Sequence, residues 1–254
     1  MPPSPVTSHL SDSWTIPFDH SLPIRRPAAH KGQHNLAGLW WCATNQPHVG
    51  FESWGERDQL MRLDFDPDVV GVASQPFRIT LLAALPQATH MPDYFVRQAE
   101  GTGVVIDART DALVKPADED VFGATAQLCA SVGWSYERLG ELKSNSGANL
   151  RWIAGYRHPR CDREEFTSAI LERLNAAGSE SIRELACAIG DPICVLPTVF
   201  HLIWRHQITT DLLGCPCTLR ALSTRSRHDE QRQHSNAHRR SCFLPRRDLQ
   251  PLRN

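Results

Sequence analysis

The period of hydrophobic and polar positions changes several times along the chain, and each change marks a new element. Residues 1–35 are rich in Pro, Ser and His and carry no apolar period, which predicts a flexible arm. The run from Leu36 to Phe51 (LAGLWWCATNQPHVGF) predicts one or two strands broken at Asn45-Gln46-Pro47. Ser53 then offers a helix N-cap, with Glu56 in the capping-box position three residues on. Trp54, Leu60, Met61 and Leu63 suit one helix, which Pro67 stops. Val69 to Val72 and Phe77 to Leu82 are strand-like, being rich in β-branched and aromatic residues. Tyr94-Phe95-Val96 and Val104-Val105-Ile106 predict two antiparallel strands joined by a turn around Glu100-Gly101-Thr102-Gly103. Val121 to Val132 has helical spacing and Trp134 to Leu139 alternates as a strand does. This order describes an α/β layer built on a mixed sheet.

Further on, Asn149 to Tyr156, Arg163 to Asn175, Ser181 to Ile189 and Ile193 to His206 all predict helices. Ser181 caps the third of them with Glu184 three residues later, and Gly190-Asp191-Pro192 makes a short break before the fourth. With Gln207 to Leu212 returning as a strand, the outline fits a helix-turn-helix or winged-helix unit, or equally a generic helical cap. After about Leu213 periodic hydrophobicity ceases. The organisation expected is an arm over 1–35, an α/β domain over 36–145, a helical, winged-helix-like domain over 146–214, and a disordered Arg-rich tail over 215–254.

Composition narrows the classes. Of 254 residues, 41% are hydrophobic and 22% charged, enough apolar material for a sizeable core and unlike a fibrous or wholly disordered chain. The longest apolar-rich stretch, Ile193 to Trp204, is interrupted by Pro197, Thr198 and His201 and is too short to span a bilayer. The N-terminus has no basic segment followed by an apolar one, so a cytoplasmic protein without a secretory signal or membrane partner is expected. Net charge is −1, but residues 219–254 hold nine Arg and no Lys against three acids, a net +6 that leaves −7 for the rest. A body of that charge is not a non-specific DNA coater, so any nucleic-acid role must come from a local site or from partners. The tail itself could bind DNA by counterion release or be an inert appendage. The eight cysteines are scattered and read as reduced thiols. Cys215-Pro216-Cys217, the only close pair, is spaced more tightly than a zinc knuckle.

Candidate chemistry concentrates in Pro92-Asp93 and, fourteen positions after Asp93, Asp107-Ala108-Arg109, with Glu56 upstream on a helix. Asp93 opens one strand and Asp107 ends its hairpin partner, so both carboxylates can reach one sheet edge. Carboxylates held together suit a hard divalent cation such as Mg²⁺, with Mn²⁺ as substitute. Such a metal activates water and stabilises the extra charge on a phosphoryl group. This is the outline of a PD-(D/E)xK nuclease site, with Arg109 where Lys normally stands, although Pro-Asp and Asp-x-Arg also occur as ordinary strand-end pieces. Trp40, Trp41 and Trp54 could stack on bases or fill core, and Arg157, His158 and Arg160 could touch phosphates or cover a solvated helix end.

The runs Phe51-Glu-Ser-Trp-Gly-Glu-Arg-Asp58, Leu63-Asp-Phe-Asp-Pro67, Ser74-Gln-Pro-Phe77, His90-Met-Pro-Asp-Tyr-Phe95 and Val104-Val-Ile-Asp107 together resemble the TnsA-like transposon endonuclease family. The likeness continues through Val132-Gly-Trp134, Asn149-Leu-Arg-Trp152 and Tyr156-Arg-His-Pro159 to about Asp211, leaving out the arm and the tail. It implies a restriction-endonuclease-like domain that nicks DNA at the 5′ ends of a mobile element. The partners it implies are a TnsB-like transposase that cuts the 3′ ends and a TnsC-like ATPase regulator, which the winged-helix-like domain contacts. The acids implied as catalytic and metal-binding are Glu56, Asp93 and Asp107, the last standing where the founding pattern has Gln or an acid. Arg109 departs from the family's lysine. It presents a larger planar fork that stays protonated and can still meet phosphoryl charge, while Lys115 could reach back from the next loop or be a surface lysine. Two other classes of function compete: a non-catalytic assembly subunit with a decayed metal site, and a helix-turn-helix DNA-binding regulator.

Overall fold

The computed structural model describes residues 7–25, 37–45, 48–81, 84–85, 88–142, 144–212 and 218–221. It is mixed α/β. After a short helix α1 (Leu10–Ser13) and a 3-10 turn at Phe18–His20 come the ribbon β1 (Gly38–Trp41) and β2 (His48–Phe51), then α2 (Trp54–Phe65). The strands β3 (Val69–Ser74), β4 (Ile79–Thr80), β5 (Thr89–His90), β6 (Tyr94–Gln98) and β7 (Gly103–Ala108) follow, then α3 (Pro116–Ala130) and β8 (Ser135–Leu139). The rest is α4 (Ser144–Ala154), α5 (Glu164–Ala177), β9 (Glu180–Ser181), α6 (Ile182–Ile189), α7 (Pro192–Trp204), β10 (Ile208–Thr209) and β11 (Thr218–Ala221).

The main sheet has the order β3-β6-β7-β8. The first three strands pair antiparallel and β8 joins β7 in parallel, with α3 as the crossover. Because side chains alternate along a strand, each face draws on alternate residues. Val72, Val96, Val104 and Ile106 lie under Leu60 and Leu63 of α2 and Val49 and Phe51 of β2. Phe95 and Val105 face the other way, against Cys129 of α3 and Trp134. α2 starts where the capping residues place it: Ser53 Oγ accepts the Glu56 N–H at 3.1 Å. α3 begins at Pro116, five residues earlier than the apolar period indicates, because its first turn is polar and marked by Pro at N1 and by Asp118, whose Oδ2 accepts the Lys115 N–H at 3.0 Å.

Of the arm expected over 1–35, residues 7–25 are described and pack against the sheet through Phe18 and Asp19. Phe18 sits in an aromatic cluster with Phe77, Phe95 and Trp134, at centroid separations of 4.8, 5.9 and 5.9 Å. Asp19 is buried and accepts from Arg97 Nε at 3.3 Å. A segment with no amphipathic period can still dock through one aromatic anchor. The strand facing this cluster has no room to spare, because a Cβ on Gly103 would lie 2.8 Å from Phe95 Cζ and 2.9 Å from Trp134 Nε1. Gly103→Ala is therefore expected to cost about 1–3 kcal/mol by overpacking. Urea denaturation checks this, and an unchanged midpoint would refute the tight fit.

The helices α4 to α7 gather around α7, of which Val195 and every residue from Thr198 to Trp204 are buried. Their core includes Leu150, Ile153, Ile170, Leu174, Leu185, Val199 and Leu202, and it continues without a break onto Met61 and Phe65 of α2. The three small strands form one sheet, β10-β11-β9, beside these helices. No helix among the described residues is long and apolar enough to cross a membrane. The tail expected after residue 214 lies outside the described residues except for 218–221.

Candidate functional site

The two central strands bring Asp93 and Asp107 to one end of the sheet. β6 and β7 pair with Tyr94 opposite Ile106 and Phe95 opposite Val105, so one further step of that register sets Asp93 across from Asp107. Asp93 Oδ2 accepts the Ala108 N–H at 2.8 Å, tying the first acid to the backbone just after the second. Burial pushes the Asp93 carboxyl up from 3.8 to about 8, helped by the charges of Glu56 and Asp107 and opposed by the Ala108 hydrogen bond and Arg109. Asp107 is itself buried, and its Oδ2 meets His90 Nε2 at 2.8 Å and the Tyr136 hydroxyl at 2.6 Å.

Glu56 approaches from the other side of β6, where α2 covers Tyr94, whose hydroxyl donates to the Glu56 carbonyl at 3.3 Å. Both Glu56 carboxylate oxygens serve the start of the helix: Oε2 accepts the Glu52 N–H at 2.7 Å and Oε1 the Ser53 hydroxyl at 3.0 Å. Burial raises its pKa against those two hydrogen bonds. Arg109 is exposed at the end of β7, with its guanidinium on Asp118 of α3 at 3.3 Å. Lys115 is an exposed residue at the start of α3.

Two acids, Glu56 and Asp107, act electrostatically on the buried Asp93 carboxyl, an arrangement of the kind a cation relieves. Among the described residues, no group of three or more His, Cys, Asp and Glu side chains stands ready to hold a metal. The donor chemistry of Asp93 and Asp107 nevertheless fits Mg²⁺, which takes hard oxygen ligands and is usually held by one or two carboxylates, its other positions being filled by water and substrate phosphate. The residues sequence reasoning missed are His90 and Tyr136. His90 stands three residues before Asp93, a visible signal, whereas Tyr136 arrives through the parallel β7–β8 register, which no local pattern discloses.

Other candidate contacts resolve into structure. Arg157 stacks on Trp40 with Cζ 3.6 Å from the ring centroid, and its Nε donates to the Trp41 carbonyl at 2.9 Å. Trp41 in turn packs on His158 at 4.7 Å. These groups join β1 to the end of α4 and are not arrayed toward phosphates. Trp54 differs, being 52% exposed beside the Arg57 guanidinium, which lies 4.1 Å from its ring centroid. A groove of about 510 Å³ runs along β3, lined by Asp19, Leu22, Asn45, His48 and Ser74 among others, and none of Glu56, Asp93, Asp107 and Arg109 lines it. No protein-family model matches the chain, and no curated protein matches it significantly.

Proposed function

We propose that this chain is the metal-dependent DNA endonuclease subunit of a heteromeric transposase, nicking DNA at the 5′ ends of a mobile element by phosphodiester hydrolysis. The observation that carries the reading is the pairing of Asp93 and Asp107 on adjacent strands, with the Asp93 carboxyl pushed up to about 8 by burial and by its acidic neighbours. Acids with perturbed pKa values are more common at functional sites than elsewhere. A bound Mg²⁺ or Mn²⁺ would supply Lewis-acid stabilisation of the phosphoryl oxygens and a water of lowered pKa. Asp93 and Asp107 would hold that cation. Arg109 would leave its half-exposed pair with Asp118, worth about 0–1 kcal/mol, to meet the charge developing on the phosphate.

On this reading the sheet with its flanking helices is a restriction-endonuclease-like domain. On the same reading the segment α5, β9, α6, α7, β10, β11 would be the winged-helix-like domain. Double-stranded transposon ends, a TnsB-like transposase and a TnsC-like ATPase are the partners proposed. The helix-turn-helix regulator is the weaker alternative, since α7 (PICVLPTVFHLIW) offers no Arg, Lys, Asn or Gln to read bases and is largely buried. A non-catalytic assembly subunit is favoured by one specific observation, the engagement of both Glu56 oxygens in the helix cap.

Calorimetric titration with Mn²⁺ separates these readings. Binding that disappears in Asp93→Ala, whose circular dichroism stays that of the parent, is the expected outcome and justifies a nicking assay with the partner transposase. Absence of Mn²⁺ binding to the parent protein overturns the nuclease reading in favour of a scaffold.

A further inference from the structure

Two side chains outside the acidic group converge on a single oxygen of Asp107. His90 comes from β5, which reaches the site because it pairs with β4, His90 opposite Ile79. Tyr136 comes from β8, whose parallel register sets it opposite Val105 and so on the same face as Asp107. His90 Nε2 lies 2.8 Å and the Tyr136 hydroxyl 2.6 Å from Asp107 Oδ2. The Phe122 ring of α3 lies 6.0 Å from each of the two rings, edge-on to His90 and stacked with Tyr136. The side chain of His90 is 12% exposed and that of Asp107 6%. The Tyr136 hydroxyl is held protonated by burial and by the Asp107 charge, so it donates.

We infer that His90 and Tyr136 are positioning residues: they clamp Asp107 by Oδ2 and so present Oδ1 to a divalent cation. The inference rests on the cation site proposed above and deepens it. A carboxylate on a free χ2 must be ordered when it binds a cation, and one gripped by two donors is already ordered. Phe122 of α3 packs beside both donor rings. Two strands distant in sequence, β5 and β8, thus bring donors to one carboxylate.

The test is Mn²⁺ affinity of the full chain, measured by calorimetry for Tyr136→Phe, His90→Leu and His90→Gln beside the parent and Asp93→Ala. Thermal melting of each metal-free protein is the control for folding. Outer-shell partners of metal ligands typically set affinity ~10- to 100-fold, so Tyr136→Phe and His90→Leu are each expected to weaken Mn²⁺ binding by about tenfold or more. His90→Gln, whose side-chain amide can donate from nearly the same place, is expected to restore most of the affinity. Parent-like affinity in Tyr136→Phe and His90→Leu overturns the clamp and leaves the cation site standing, as does equal loss in His90→Gln and His90→Leu. A parent protein that binds no Mn²⁺ overturns site and clamp together.

Discussion

Asn in place of Asp93 is expected to stabilise the metal-free protein at pH 8 or above while abolishing its divalent-cation binding. In the folded protein the Asp93 carboxyl is pushed up from 3.8 to about 8, first by burial and then by the charges of Glu56 and Asp107. A raised folded-state pKa means that the folded chain binds a proton the unfolded chain has released. The stability from this proton is fully present below the unfolded pKa near 4 and is lost as pH rises through 8. At the upper end the folded protein must hold a buried anion among anions. Every tenfold difference in proton affinity between the folded and unfolded chain corresponds to about 1.4 kcal/mol, and allowing for relaxation around the site the substitution should return about 2–5 kcal/mol. Asn keeps the shape and can still accept the Ala108 N–H through its carbonyl oxygen. The measurement is the melting temperature of both proteins between pH 5 and 9. The parent should lose stability relative to the variant as pH rises, and Mn²⁺ should restore it in the parent alone by mass action. Parallel pH profiles would remove the argument that Asp93 is strained in the service of a ligand.

The same acids show which parts of the molecule can be read from sequence. Tyr94-Phe95-Val96 and Val104-Val105-Ile106 announce their pairing because they are β-branched or aromatic and flank a turn in which Gly101 adopts φ +93°. Ser53 and Glu56 announce the start of α2 because an N-cap is a local contact. That legibility also misleads, since the capping pattern that marks the helix is what occupies both oxygens of Glu56, the third acid of the expected site. Contacts between distant segments are silent. Tyr136 meets Asp107 across 29 positions through a parallel register, and Arg157 meets Trp41 across 116. The pattern Arg157-His158 is that of a solvated helix end, yet packing on two Trp rings draws the guanidinium half inside. Phe18 is likewise one aromatic in a stretch without period, and only the cavity among Phe77, Phe95 and Trp134 gives it a place.

The largest loss of stability is expected from a residue with no proposed catalytic role. Asp64 of α2 has its side chain fully buried and gathers donors from β1 and the segment just after it. Its Oδ2 accepts Trp40 Nε1 at 2.8 Å, while its Oδ1 accepts the Thr44 N–H and hydroxyl, each at 2.9 Å, and the Cys42 thiol at 3.1 Å. Burial and the Asp64 charge push that thiol up to about 12, so it stays protonated and donates. Arg157 Nε lies 4.0 Å from Asp64 Oδ2, and burial lowers the Arg157 pKa while the Asp64 charge acts the other way. Asp64→Ala leaves these buried donors without an acceptor and a half-buried guanidinium without its counter-charge. Removing one partner from such an arrangement costs about 3–5 kcal/mol. Arg157→Met provides the contrast: it keeps apolar contact with Trp40 and leaves Asp64 its four uncharged donors, so the loss should be about half as large. Because Asp64 joins β1 to α2, and through Arg157 to the end of α4, the α/β layer and the helices behind it should unfold in one urea transition in the parent. Asp64→Ala should shift that transition as a whole, or split it if this junction is what couples the two. A cost below about 1 kcal/mol would mean that water replaces the carboxylate at little penalty and that the shared apolar core of Met61, Phe65 and the helices alone unites the molecule.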